Sequence, residues 1–264
     1  MRTGTTIAAA TGLMLLLGAT TKADPSPAPH LPPAPAGLTW RLDWQDEFDG
    51  KALDPRKWAF DRMEPTPFGR WDSALLTIGN GVATFRSRIV NGVMTGVGIS
   101  TSGRYSTTGG YFVMRAKMPS SGGYRPAFWL TTSLIHAVDH PLHPTELDVL
   151  EFPSRSGTIA QNIHWNGYGA YHQHTGTKVW LPAAINNWHE YGMWWDASGY
   201  RFYVDGRLTW TTTAGGISHT PEFMKLANTM FASNETPPTR ATANQLVGGS
   251  DFVVDYIRVF KLSR

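Results

Sequence analysis

Residues Glu146 to Phe152 read ELDVLEF. Strand side chains point alternately to opposite faces, so Glu146 and Asp148 share one face and Leu147 and Val149 share the other. Glu151 has the wrong parity for a regular strand. One extra residue, a β-bulge between Asp148 and Glu151, returns it to the acidic face and turns Phe152 inward. The stretch therefore predicts a half-buried strand with three carboxylates on its open side.

The same alternation appears on either side of this strand. Phe112, Met114, Ala116 and Met118 interleave with Val113, Arg115 and Lys117, and Ala127 and Trp129 interleave with Phe128 and Leu130. Tyr200 to Val204 is a strand that ends at Asp205-Gly206, a hairpin signal. Phe252 to Phe260 is another, with Val253, Asp255, Ile257 and Val259 expected on one face. Glycine pairs at 109–110, 122–123, 215–216 and 248–249 separate the segments. No long stretch has helical periodicity. Many short strands with regular turns predict an all-β fold, a two-sheet antiparallel β-sandwich.

The chain has 264 residues, which suits one large sandwich domain. Arg2, the apolar run around Leu13 to Leu17, and small residues at Thr21 and Ala23 read as a signal peptide over 1–23, so the expected location is outside the cytoplasm, extracellular or periplasmic. That run is too short to span a bilayer, and no membrane role is expected. Residues 24–37 are rich in Pro and Ala and read as a linker, leaving 38–264 as the domain. There is no cysteine, hence no disulfide or thiol chemistry. The net charge of +3 nearly vanishes without Arg2 and Lys22, which leaves 21 bases against 20 acids. Nothing in that balance points to nucleic acid.

Three acids on one strand face repel one another, and a chemistry that requires them is glycoside hydrolysis. A retaining glycosidase uses two carboxyls about 5–5.5 Å apart, one as nucleophile and one as acid/base. A flat strand holds the Cα atoms of Glu146 and Glu151 farther apart than that, so the chemistry predicts a concave sheet and an open cleft. Taken alone, the spacing also allows a solvated acidic face or a calcium site.

The flanking sequence resembles glycoside hydrolase family sixteen, in the bulged branch that includes laminarinases, agarases and carrageenases. The resemblance rests on the acidic motif and on four further stretches: LDWQDEFDG (Leu42 to Gly50), GGYFVMRAKMP with PAFWL (Gly109 to Pro119, Pro126 to Leu130), WHEYGMWWDASGYRFYVDG (Trp188 to Gly206) and DFVVDYIRVF (Asp251 to Phe260). It implies a concanavalin-like jelly roll, with Glu146 as nucleophile, Glu151 as general acid/base and Asp148 between them as the orienting and pKa-tuning acid. Glu151, which must be protonated to assist the leaving group, is then expected to have the raised pKa. Catalysis needs no cofactor on this reading. The resemblance also implies a structural calcium at Glu47 and Asp255, on the convex side.

Substrate-binding candidates surround the acids. Trp129 shares parity with Arg125, away from the core positions Phe128 and Leu130, and offers a ring face to a sugar. Arg115 is placed on the concave face by the same alternation. His164 resembles the family histidine on the strand beside the acids. Trp165 is grouped with it, in an aromatic and histidine-rich stretch with Tyr168, Tyr171, His172 and His174. That stretch either lines the cleft or covers a sheet edge. His136, His140 and His143 lack the periodicity that would converge them on a metal and are read as a loop beside the cleft.

The expected function is a monomeric, secreted, retaining endo-β-glycanase acting on polysaccharide, first on β-1,3- or mixed β-1,3/1,4-glucan. Three stretches depart from the laminarinase pattern: Asp61 to Trp71, Arg125 before Pro126, and Met224 to Glu235. They leave a galactan or an anionic exopolysaccharide as the alternative, with transglycosylation as a further outcome. A non-catalytic lectin on the same sandwich is the rival from another class.

Overall fold

The computed structural model describes residues 26–61, 69–91, 93–120, 124–152, 157–230 and 250–264. The expected signal peptide lies outside these residues, as do most of the 61–71 stretch and the second half of the 224–235 stretch.

The described chain is built of strands. In order these are β1 (Thr39–Asp46), β2 (Ala59–Phe60), β3 (Gly69–Trp71), β4 (Leu76–Gly79), β5 (Val82–Val90), β6 (Val93–Ser100), β7 (Gly110–Lys117) and β8 (Tyr124–Thr131). They continue as β9 (Thr145–Glu151), β10 (Thr158–Trp165), β11 (Gln173–Trp180), β12 (Trp188–Asp196), β13 (Gly199–Val204), β14 (Arg207–Thr212), β15 (Phe223–Met230) and β16 (Ser250–Ser263). Helical structure among the described residues is limited to two three-residue 3-10 turns.

One hydrogen-bonded path runs β11-β10-β9-β8-β15-β6-β5-β16-β7-β12-β13-β14 and folds back on itself. The crossing point is β5. Its Ala83–Ser87 portion pairs with β16 in one layer, and Arg88–Val90 pairs with β6 in the other. The layer from β11 to β6 carries the acidic strand; the layer from β5 to β14 backs it, with β1 added beside β16. Pairing is antiparallel except for β3 with β6. The expected hairpin joins β13 to β14, with both turn residues in the left-handed region, Asp205 at φ 48° and Gly206 at φ 73°, as a type I′ turn requires.

The core lies between the layers. Phe128, Leu130, Leu147, Val149, Ile163 and Leu226 meet Phe112, Met114, Tyr191, Met193, Phe202 and Ile257, all fully buried. Excluding these side chains from water is the main stabilising contribution. The alternation predicted for β16 holds only in part. A register shift between Val254 and Tyr256 resets the parity, so Phe252 and Val254 face inward before it and Ile257 and Val259 after it. Asp255 sits at that irregularity.

The Pro/Ala-rich stretch, described from Ser26 onward, is bonded to the outer face of the backing layer. Ser26 donates to Asp255, the Pro27 carbonyl accepts from Arg258, and the Pro32 carbonyl accepts from the Trp40 indole. The His30 amide donates to Glu190 at 2.8 Å while its carbonyl accepts from the Tyr111 hydroxyl.

Candidate active site

Strand β9 is central to its layer, with β8 on one side and β10 on the other. Asp148 is opposite Asn162 and Glu151 is opposite Ala160, so Val149 and Leu150 of β9 face the single Gln161 of β10. The pairing with β8 shifts over the same stretch. A bulge at this position brings Glu146, Asp148 and Glu151 onto one face while Leu147, Val149, Leu150 and Phe152 enter the core.

This face is the floor of a groove. Ala127, Asp148, Ala160 and Ala227 lie outside the core between the layers, yet each is buried. Small residues line it in register, Ala127 beside Ala227 and Ala227 beside Gly98. The Trp71 indole lies against Gly98, where an added Cβ would approach its Cζ3 to 2.7 Å.

Each acid has its own partners. Glu151 accepts from the Asn162 amide at 2.7 Å and pairs with Arg125 at 3.3 Å. Asn162 itself needs Gly176 on β11, since a Cβ there would collide with its side-chain oxygen. Asp148 Oδ2 lies 3.2 Å from His164 Nε2. His164 Nδ1 lies 2.9 Å from His172 Nε2, and the two rings are parallel to within 4° with centroids 5.1 Å apart. That combination describes imidazoles joined edge to edge by a hydrogen bond, rather than stacked face on face. Asp148, His164 and His172 thus form a line from the buried acid to the rim. Glu146 accepts a hydrogen bond from Tyr168.

Burial, together with the nearby charge of Asp148, pushes the Glu146 carboxyl up to about 7. Asp148 is raised well above the usual carboxylate range, by burial first and then by Glu151. Burial falls more heavily on Glu146 and Asp148 than on Glu151, whose side chain keeps 19% exposure and has Arg125 beside it.

On the β8 side, Trp129 is opposite Asp148, and Lys225 of β15 is opposite Trp129. Lys225 lies 5.1 Å from the Trp129 ring centroid and pairs with Asp61 at 2.6 Å. Trp129, Arg125 and His164 are therefore gathered on the acidic face. Arg115 and Trp165 are not. Arg115 belongs to β7 in the backing layer, where it pairs with Asp255 and lies 4.7 Å from the Trp188 ring centroid. Alternation predicted its face but not its layer. Trp165 follows His164 and so points to the opposite face, where it packs against the core and under Gly215.

The calcium candidates are already matched by cations. Glu47 makes two bonds to Arg258, at 2.7 and 2.8 Å, and Asp255 is held by Arg115 and Ser26. Each of these carboxylates thus has a guanidinium beside it in this structure. Among the described residues, the convergent group of metal-capable side chains is Glu146, Asp148 and His164, with ligand atoms within 4.8 Å of one another. His136, His140 and His143 are used locally: His136 meets the Tyr168 ring, His140 accepts from the Leu142 amide, and His143 lies against Gly216.

Sequence reasoning passed over Asn162, Lys225 and Trp71, and left open whether the stretch that holds His172 lines the cleft. Asn162 was within reach, since it is two residues before His164 and so shares its face. The others reach the site through tertiary pairing that no local pattern shows.

The sequence matches the family model described as Glycosyl hydrolases family 16 over residues 71–247. An endo-1,3-1,4-beta-glycanase, EglC, of Rhizobium meliloti is 29% identical over 168 residues, covering 62% of this chain and 33% of that protein. A beta-glucanase of Rhodothermus marinus is 27% identical over 183 residues, 64% of each chain. The chain thus spans from about a third to just under two thirds of the length of these curated relatives. Among solved structures, a laminarinase from Flavobacterium sp. UMI-01 superimposes with a TM-score of 0.71 at 23% identity, covering 84% of this chain and all of that one. Porphyranase B from Zobellia galactanivorans gives 0.71 at 18% identity, covering 90% and 100%.

Proposed function

The chain belongs to glycosyl hydrolases family 16, and from that membership we propose that it is a secreted, endo-acting β-glycanase that cleaves polysaccharide with retention, through Glu146, Asp148 and Glu151. The observation that carries this reading is the bulge of β9, which turns three carboxylates onto one groove floor. Glu146 is the nucleophile. It attacks the anomeric carbon while Glu151 protonates the departing oxygen, and Glu151 then takes a proton from the water that releases the glycosyl-enzyme. Asp148 lies between the two and its charge tunes Glu146 upward. Tyr168 orients Glu146, and Asn162 with Arg125 orients Glu151.

β-1,3- or mixed β-1,3/1,4-glucan is the first substrate class, supported by the curated glycanase and glucanase relatives. A galactan is the second, supported by the keratan-sulfate endo-1,4-beta-galactosidase of Sphingobacterium multivorum, 25% identical over 244 residues. The test is incubation of the full chain with laminarin, lichenan, agarose, porphyran and carrageenan. Products would be sized by chromatography, and the new anomeric centre followed by NMR. Oligosaccharides released with their anomeric configuration kept support the proposal; inverted products overturn the retaining mechanism, and binding without cleavage favours a lectin.

A further inference from the structure

Trp180 is 74% exposed, the highest value among the large hydrophobic side chains described. It ends β11, the edge strand of the layer that bears the acids, and is paired with Thr158. Its parity is that of His174, Gly176 and Lys178, opposite His164, Asn162 and Ala160 on β10, so its ring is on the same face as the carboxylates. Its neighbour Val179 packs against the core, which anchors the strand and leaves the indole outward. Glu151, Ala160 and Lys178 lie in one cross-strand row. Trp180 is one step beyond that row, two strands from β9, or about 10 Å across the sheet.

We propose that Trp180 is the platform of a distal sugar-binding subsite, on which a pyranose ring of the same glycan chain stacks beyond the residues joined at the cleaved bond. The proposal rests on the glycanase reading and extends it along the groove. The occupant follows from continuity: a chain lying across the strands over Glu146 and Glu151 runs off this layer at β11. An indole face meets the apolar face of a sugar, and Lys178, exposed on the same side, supplies a donor to ring oxygens. On the other flank the aromatic rings Trp129 and Trp71 border the groove close to the acids, so the two flanks hold a long substrate unequally.

The test compares the wild type with Trp180→Ala and Trp180→Tyr as full chains. Melting temperature and size-exclusion volume establish that each variant keeps fold and oligomeric state. On whichever polysaccharide of the panel the wild type cleaves, Trp180→Ala is expected to raise KM by about two- to tenfold, with kcat within about twofold. Trp180→Tyr recovers most of the loss. Binding is read separately in the Glu146→Gln background, where Trp180→Ala weakens affinity for the polymer by the same factor. Unchanged KM and affinity overturn the subsite, as does a change of oligomeric state in Trp180→Ala, which assigns the indole to contact between copies. Should the wild type neither bind nor cleave any member of the panel, the glycanase reading itself fails and the subsite falls with it.

Discussion

Carboxylates occupy both outer faces of this sandwich, and they are treated in opposite ways. On the backing layer the acids are matched: half-buried Glu47 by Arg258, and buried Asp46 by Lys57 and the Trp58 indole, Asp255 by Arg115, and Glu190 by His30 and the Tyr256 hydroxyl. On the groove floor, burial raises both Glu146 and Asp148 even though His164 lies 3.2 Å from Asp148 and the charges of Arg125 and Lys225 are near. A buried charge is costly unless paired and hydrogen-bonded, so the acids of the backing layer read as structure. The groove pair, raised in spite of its neighbours, costs stability and persists where chemistry requires it. The presence of acids is therefore less informative than whether the cations beside them offset their burial.

A large effect should come from Glu151→Gln. Removing a general acid/base lowers the rate by about 10²–10⁴-fold, read from initial rates on the cleaved polysaccharide, with little change in melting temperature. An undiminished rate would remove Glu151 from the chemistry.

Glu222 sharpens the comparison from inside the core. It is fully buried beneath β9, accepts from the Thr145 hydroxyl at 2.8 Å, and is pushed up to about 8 chiefly by burial. With its folded value above the unfolded one, it contributes fully below pH 4.5, and that contribution is lost as pH rises toward 8. Glu222→Gln should accordingly gain stability relative to wild type between pH 5 and pH 8, by denaturant midpoint. A gap that is constant with pH would mean the acid is not held neutral.

Asp148→Asn addresses the charge of Asp148 beside Glu146 on the groove floor. Glu146 must be ionised to attack, so wild-type kcat/KM should fall as pH drops below about 7. With Asp148 replaced, this acid limb should move partway toward the ordinary carboxylate range, burial of Glu146 remaining. An unmoved limb would uncouple the two acids. The smallest effect is expected from calcium: with Arg258 and Arg115 in place, calcium or a chelator should shift the melting temperature by less than about 1 °C, since only a ligand that binds the folded state raises it. A larger rise with calcium would show that these arginines yield to a metal.

The acidic strand was legible because alternation and a single bulge suffice to place Glu146, Asp148 and Glu151. Trp129 and Arg125 followed from the same period-two rule. The rule assigns a face and says nothing of which layer a strand joins. Arg115 was misplaced for that reason, since β7 belongs to the backing layer. Trp165 fails by the rule itself, because neighbours on a strand cannot both face the groove with His164. The bulge at Asp255 left no clear mark in an apolar run, so the inward residues of β16 were half reversed. Tyr168 and His172 reach the acids from the chain between β10 and β11 and the entry to β11, a placement that depends on the folded path.

The contrast between the acids of the two faces is tested most directly by turnover per folded molecule in Glu146→Gln beside Glu47→Gln, each corrected for its folded fraction. Glu146→Gln should lose about 10³-fold or more while melting at or above the wild-type temperature. Glu47→Gln should melt lower and turn over substrate at the wild-type rate. A Glu146→Gln protein that retains activity, or a Glu47→Gln protein that is stable but inactive, would contradict the account.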